Sequence, residues 1–282
     1  MANIRLAIAA DFLLAEKLLE ALEQSSLDFE QISAIELESF GEEHSLRFGA
    51  KAVEQIAVED VEWSQFSHVL FAGKMANAEL LAQAVQAGCV ILDLYGISAL
   101  IGNVPVIVPS VNNEMIANVR ELAGQTAQLL NGIPLDDEKP RVAFDAVPAN
   151  VQGDEKHLPF SRAFELQLTK VLPNLTASVT FHSVQMPVFY GISQMISVQS
   201  EYALDATALS EQWQQQAWVK FNSDNVITPV KNGEDEETNL LQISQLLNKN
   251  DNALQFWTVA DEQRFSLAFL AVELLKEVIT SY

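Results

Sequence analysis

Apolar and polar positions change their period several times along this chain. Asn3–Ile8 is a mostly apolar run, the pattern of a strand buried on both faces, and Leu13–Leu22 repeats apolar residues at helical spacing. Further apolar runs at Ala34–Leu37, His68–Ala72, Val90–Leu94 and Val104–Val108 predict strands, and Ala76–Ala87 predicts a helix. Leu46–Val58 alternates around Gly49 and predicts a small hairpin. Pro105 and Pro109 mark the exit from this region, and the pattern changes after it. A helix is expected from Glu114 to Leu130, stopped by Asn131-Gly132-Ile133-Pro134. Strands follow at Arg141–Val147, Thr176–Val188, Gln194–Tyr202 and Gln255–Ala260, with helices at Phe160–Leu172, Ala206–Ala217 and Phe265–Tyr282. The fold class this predicts is α/β: a Rossmann-like parallel-sheet domain over residues 1–112, then an α+β domain over residues 113–265, with residues 266–282 a C-terminal helix returning to the first domain.

The first turn carries the sharpest chemical signal. In a nucleotide-binding fold the loop between the first strand and helix is rich in glycine, so that bare backbone approaches a pyrophosphate at the helix N-terminus. Here the three spaced positions are Ala9, Phe12 and Ala15. A phenylalanine stands where phosphate needs open backbone. The architecture is that of a degenerate NAD(P)-binding domain, and Phe12 is expected to pack as a plug into the vacated space.

Charge and cysteine count narrow the function. The formal net charge is −22, a surface that repels nucleic-acid phosphates. The acidic runs Asp136-Asp137-Glu138 and Glu234-Asp235-Glu236-Glu237 sit beside Pro, Gly or Asn and lack the ligand spacing of a calcium loop. One cysteine, Cys89, excludes an intrachain disulfide and a cysteine-cluster metal site. His44, His68, His157 and His182 show no H-E-x-x-H spacing, so no metal is expected. No apolar run reaches the roughly 20 residues of a membrane span, and no secretory signal is visible, so a cytoplasmic protein is expected.

Three stretches go beyond a generic α/β pattern: Gly124-Gln125-Thr126-Ala127-Gln128-Leu129-Leu130-Asn131-Gly132-Ile133-Pro134, Val184-Gln185-Met186-Pro187-Val188-Phe189-Tyr190-Gly191-Ile192-Ser193-Gln194, and Gln255-Phe256-Trp257-Thr258-Val259-Ala260-Asp261-Glu262-Gln263-Arg264-Phe265. Phe71-Ala72-Gly73-Lys74, Ala87-Gly88-Cys89-Val90-Ile91-Leu92-Asp93 and Val104-Pro105-Val106-Ile107-Val108-Pro109 agree with them. In order and spacing they resemble the aspartate-semialdehyde dehydrogenase family, and within it the Usg branch, whose members are not credited with the dehydrogenase reaction. The resemblance implies that the second domain is of dimerisation type.

The family reaction reduces aspartyl phosphate with NADPH through a cysteine thioester. It needs a thiolate, a histidine acid/base and a cationic clamp for carboxylate. The resemblance places the nucleophile after an Asn-Pro pair, yet this chain passes from Val111-Asn112-Asn113 almost directly into Ala117-Asn118-Val119-Arg120. A deletion of roughly fifty residues removes the nucleophile with its helix and strand, which fits the short length. Cys89 follows Ala87-Gly88 at an apolar run, with nothing nearby to lower its pKa. The family histidine falls on Ile192, and the arginine clamp on Gln185, which cannot make a charged fork. His182 reads as an ordinary strand residue. On the cofactor side the degenerate positions are Ala9, Phe12, Ala15 and Glu262, and the Asn-Ser-Ser run after the strand aspartate reads Leu94-Tyr95-Gly96. Lys74 at a strand exit could meet an anion but has no phosphate loop to cooperate with.

The expectation is therefore a catalytically inactive paralogue, homodimeric, with an interaction or structural role and no cofactor. Trp257, Phe256, Phe265, Phe189 and Tyr190 are expected in the core of the second domain or at its interface. Two alternatives stay open: an active NADP-dependent semialdehyde dehydrogenase, which requires an exposed and activated Cys89, and a small-ligand sensor using the interdomain cleft.

Overall fold

The computed structural model describes residues 4–41, 44–100, 147–148, 184–185, 191–234 and 239–281. These fall into two compact units. Residues 4–41, 44–100 and 267–281 belong to the first; residues 147–148, 184–185, 191–234 and 239–266 belong to the second.

In the first unit β1 (Arg5–Ala10) leads through Asp11 into α1 (Phe12–Glu23) and then β2 (Gln31–Glu36). A hairpin of β3 (Arg47–Phe48) and β4 (Lys51–Ala52) precedes β5 (Glu54–Ala57). Next come β6 (His68–Phe71), α2 (Ala78–Gln86), β7 (Val90–Asp93) and the short α3 (Ile97–Leu100). The sheet order is β5-β2-β1-β6-β7, with every pair parallel. That is the order of a Rossmann nucleotide-binding half, and its direction reverses between β1 and β6.

β1 is the central strand, and Leu6–Ala10 are completely buried. α1 lays Leu14, Ala15, Leu18, Leu19 and Leu22 onto the sheet, the helical spacing read from the sequence. Each such leucine contributes about 1.5–3 kcal/mol by burial. Leu267, Ala268, Ala271, Val272 and Leu275 belong to the same core, so the last helix (Leu270–Ser281) completes the first unit.

The predicted hairpin over Leu46–Val58 needs correction. Only Arg47–Ala52 forms one; Glu54–Ala57 pairs in parallel with Ser33–Glu36 as the sheet edge. Alternation looks the same for a local and a long-range partner, so the pattern could not separate them.

In the second unit β8 (Val147–Pro148) pairs antiparallel with β9 (Val184–Gln185). A mixed sheet is built from β10 (Ile192–Gln199), β11 (Val219–Asn222), β12 (Leu241–Asn250) and β13 (Ala253–Ala260), in the order β10-β13-β12-β11. Only β11 and β12 run parallel to each other. Between the strands lie α4 (Ala206–Gln214) and α5 (Pro229–Glu234). Trp213 of α4 is buried against Phe221 and Phe256, with ring centroids 5.7 and 5.1 Å away.

β11 and β12 were not expected from the sequence. β12 buries Gln242 and Ser244 beside Leu241 and Ile243, and its register slips after Ser244, which breaks the period-two signal. The helix expected to start at Phe265 is preceded by a π-helix over Glu262–Phe269. The elements expected at Val104–Val108, Glu114–Leu130 and Phe160–Leu172 lie outside the described residues, as do Arg141–Ala146, Thr176–Ser183, Met186–Val188 and the junction after Asn113.

Gly73, just past β6, is needed for close approach. A Cβ there would lie 2.4 Å from the ring of Phe71 and 2.9 Å from Cβ of Asn77, and Phe71 is completely buried. Gly73→Ala is expected to cost about 1–3 kcal/mol, read as a lower melting temperature with the fold retained.

Candidate functional site

The turn from β1 into α1 is where a Rossmann fold holds phosphate, and here protein groups fill it. Ala9, Ala10 and Ala15 are fully buried, and the Ala9 carbonyl accepts the Ala72 N–H at 2.8 Å. Asp11 is extended, with φ −73° and ψ 166°, a conformation that needs no glycine. Its carboxylate accepts the Leu14 N–H at 3.0 Å, and its carbonyl accepts the Ala15 N–H at 2.9 Å. The N-terminus of a helix carries partial positive charge and free N–H groups. Asp11 supplies an internal anion at that place, and a phosphate approaching it would meet a like charge.

Phe12 is half-buried. Its ring lies 5.5 Å from that of Phe40 and 4.8 Å from that of His44, both edge-on, in the segment after β2. The plug expected of Phe12 is thus divided: the ring packs on the post-β2 segment, and the helix terminus is capped by Asp11. The sequence held that signal, since Asp directly before an apolar helical run is a strong N-cap.

Sequence reasoning also missed Glu36. An acid at the end of the second strand commonly binds ribose in this fold class. Glu36 instead accepts the Phe40 backbone N–H at 3.3 Å, fixing the segment on which Phe12 packs. Lys74 is exposed, with its Nζ 3.9 Å from the exposed Glu38 carboxylate, a pair worth little in stability.

The other reactive groups of the first unit have structural partners. Cys89 directs its thiol at the carbonyls of Trp63 and Phe66, 3.2 and 3.4 Å away, and burial pushes its pKa up, away from thiolate. Burial lowers the pKa of His68, whose Nδ1 is 2.9 Å from the Ser67 hydroxyl. Asp93 accepts the Ser98 N–H at 2.6 Å at the start of α3, and burial raises its pKa against those hydrogen bonds. Tyr95, two residues on, is buried.

In the second unit Gly191 has φ +81°, which favours glycine, and a Cβ there would lie 3.1 Å from the Ala260 carbonyl oxygen. The next residue, Ile192, is buried and opens β10 directly opposite Ala260. The side chain that follows Gly191 is thus aliphatic and holds no proton. Two residues beyond Ala260 lies Glu262, whose carboxyl is near the backbone N–H of Gly191. Burial raises the pKa of Glu262, and the neighbouring Asp261 carboxylate adds to the rise. Its Oε2 is buried without a hydrogen-bond partner, as are Oδ1 of Asn232 and Oγ of Ser266. Ile192 and Glu262 therefore meet around Gly191. Gln185 lies on β9 opposite Val147. His157, His182, Phe189 and Tyr190 lie outside the described residues. Phe265 is core, whereas Trp257 is half-buried and donates its Nε1–H to the Ile227 carbonyl at 2.8 Å. Among the described residues no cluster of three His, Cys, Asp or Glu could hold a metal ion, and no helix is long and apolar enough to cross a membrane.

These features define a protein with an N-terminal Rossmann-like domain and a C-terminal α+β domain of dimerisation type. Residues 116–265 match the family model described as semialdehyde dehydrogenase, dimerisation domain. The chain is 36% identical to a USG-1 protein homolog of Haemophilus influenzae, with 98% of each chain covered. The crystal structure of aspartate semialdehyde dehydrogenase II from Vibrio cholerae superposes with a TM-score of 0.77 at 22% identity over 100% of both chains. Aspartate semialdehyde dehydrogenase from Candida albicans, solved with NADP, gives 0.69 at 10% identity over 99% of both chains. The chain belongs to the aspartate-semialdehyde dehydrogenase family and resembles its USG-1 proteins. The match to the Haemophilus protein spans 328 aligned positions, 46 more than the 282 residues present, so at least 46 positions of that protein have no counterpart here.

Glu262 gives a pH test. A carboxyl with a raised folded pKa contributes stability that is fully present below its ordinary value of 4.5 and lost as pH rises through the folded value. Glu262→Gln keeps the size of the side chain and removes the titration. It is expected to raise the melting temperature relative to the parent, by an amount that grows from pH 5 to pH 8 and vanishes near pH 4.

Proposed function

We propose that this chain is a catalytically inactive member of its family, takes no NADP, and works as a homodimeric interaction or structural protein of the cytoplasm. The observation that carries this reading is the occupation of both chemical positions by groups that oppose the reaction. Asp11 brings negative charge to the helix terminus that would receive phosphate. Buried Ile192 stands at the acid/base position, and the raised pKa of Cys89 weighs against a relocated nucleophile. The missing positions relative to the Haemophilus protein support a deletion of the segment after Asn113 that bears the nucleophile.

The dimer reading rests on the matched dimerisation domain and on apolar side chains left exposed along β10. Met195 and Val198 are 48% and 40% exposed, and Tyr202 just beyond β10 is 78% exposed, so large apolar side chains stand open along the strand at the end of the sheet order. The net charge of −22 argues against a nucleic-acid partner.

Purified protein is expected to neither reduce aspartyl phosphate with NADPH nor oxidise the semialdehyde, and NADP is expected to leave its melting temperature unchanged. Turnover of either substrate would overturn the catalytic part. In sedimentation the chain is expected to run as a dimer, and Met195→Glu to weaken that dimer at least about ten-fold, with the monomer still folded. A parent chain that stays monomeric would remove the dimer reading.

A further inference from the structure

Among the described residues the sheet of β10 to β13 has an unfinished edge. β12 is 10 residues long and its outer neighbour β11 only 4, and β11 pairs with Leu241–Ser244 alone. Among the described residues no strand lies on the outer side of Gln245–Asn250. Main-chain donors and acceptors on such an edge form a ready template for another strand.

Three further observations fall on this stretch. Gln245 has φ 53°, the one non-glycine residue in the left-handed region among the described residues, and the register with β13 slips between Ser244 and Leu247. Strain of this kind collects at ligand-clamping positions. A cavity of about 550 Å³ opens along the edge, between it, the first turn of α4 and the segment after β11; Thr207, Ser210, Asp224, Val226, Gln245 and Leu247 line it. Val226 and Leu247 are each about half exposed, so the groove presents apolar side chains as well as open backbone.

Charge selects the occupant. Asp224 is the one charged residue in the lining. Asp205 adjoins Ala206 at the rim, and Asp251 follows the end of β12, with its carbonyl accepting the Leu204 N–H at 2.7 Å. Lys249 is the cation on the same strand segment. The N-terminus of α4 is no anion site, because the Asp205 carboxylate already accepts the N–H groups of Thr207 and Ala208 at 2.9 and 3.1 Å. A second copy of this chain would bring two acidic rims together, on a molecule of net charge −22.

We propose that the open edge of β12 docks an extended segment of a partner protein in which cationic and apolar residues alternate. The segment adds as a further strand beside Gln245–Asn250. Its apolar side chains meet Val226 and Leu247, and its lysines or arginines meet the acidic rim around Asp224 beside them. This inference stands on the second unit alone and holds whether or not the first unit binds a cofactor.

The test uses the full chain and a fluorescein-labelled, capped peptide of about six residues alternating lysine and valine. Saturable binding below about 1 mM is expected in anisotropy titrations. Backbone amide shifts are expected to concentrate on Gln245–Asn248. Asp224→Lys, a change at an exposed residue, is expected to weaken binding at least about ten-fold, with the melting temperature unchanged. A lysine–glycine peptide of equal charge is expected to bind at least about ten-fold more weakly than the lysine–valine peptide, since glycine lowers strand propensity and has no side chain to pack. Absence of saturable binding would overturn the proposal. So would equal binding of the lysine–glycine peptide, indifference to Asp224→Lys, or shifts confined to another surface. A change in the chain's own sedimentation on Asp224→Lys would make a second copy the occupant and also overturn it.

Discussion

The carboxylate of Asp11 at the N-terminus of α1 is the interaction on which the first unit turns. β1 is the central strand, paired with β2 on one side and β6 on the other, and the chain leaves it for α1 through a single extended residue. A helix that starts so abruptly needs its first N–H groups satisfied at once. Asp11 does this from within the chain, where an active nucleotide-binding fold leaves them for phosphate. The consequences spread outward. Ala9, Ala10 and Ala15 are buried beside it. Phe12 packs on Phe40 and His44, and Glu36 holds the Phe40 N–H. A folded unit with its helix terminus already capped gains stability that does not depend on a cofactor.

The second unit has been altered in a different way. Its sheet is held by pairing of β10, β13 and β12 and by Trp213 seated on Phe221 and Phe256. Its polar groups are incompletely paired. Glu262, Asn232 and Ser266 each bury an oxygen with no partner among the described residues. A buried polar atom left unpaired costs about 1–3 kcal/mol. Burial keeps Glu262 toward its neutral form, which lessens that cost.

Much of the parallel sheet was legible because its signals are local. Leu14, Leu18 and Leu22 declare the buried face of α1, and the runs at Ile8 and Leu70 declare strands buried on both sides, while the run at Leu92 forms an end strand with Val90 exposed. β12 was not legible. Gln242 and Ser244 are buried polar residues, and the left-handed Gln245 resets the alternation, so no period-two pattern survives for a reader of the sequence. The candidate site was legible as departures from the pattern the resemblance implies, at Ala9, Phe12, Ala15, Ile192 and Glu262. The contacts of the Phe12 ring were not, because Phe40 and His44 are brought beside it only by folding.

The sequence by itself determined the fold class, the family and the absence of a histidine after Gly191, since each depends on residue type at a fixed place in the chain. Tertiary structure alone decided what fills the places left behind. The Asp11 carboxylate takes the helix terminus, the Phe12 ring lies on Phe40 and His44, and the Glu262 carboxyl meets Gly191 some seventy residues away in the chain. Among the described residues it also left the edge of β12 unpaired from Gln245 to Asn250. The physical reason is that side-chain identity is written residue by residue, whereas a contact, a buried charge or an unpaired edge exists only between segments that the folded chain has brought together.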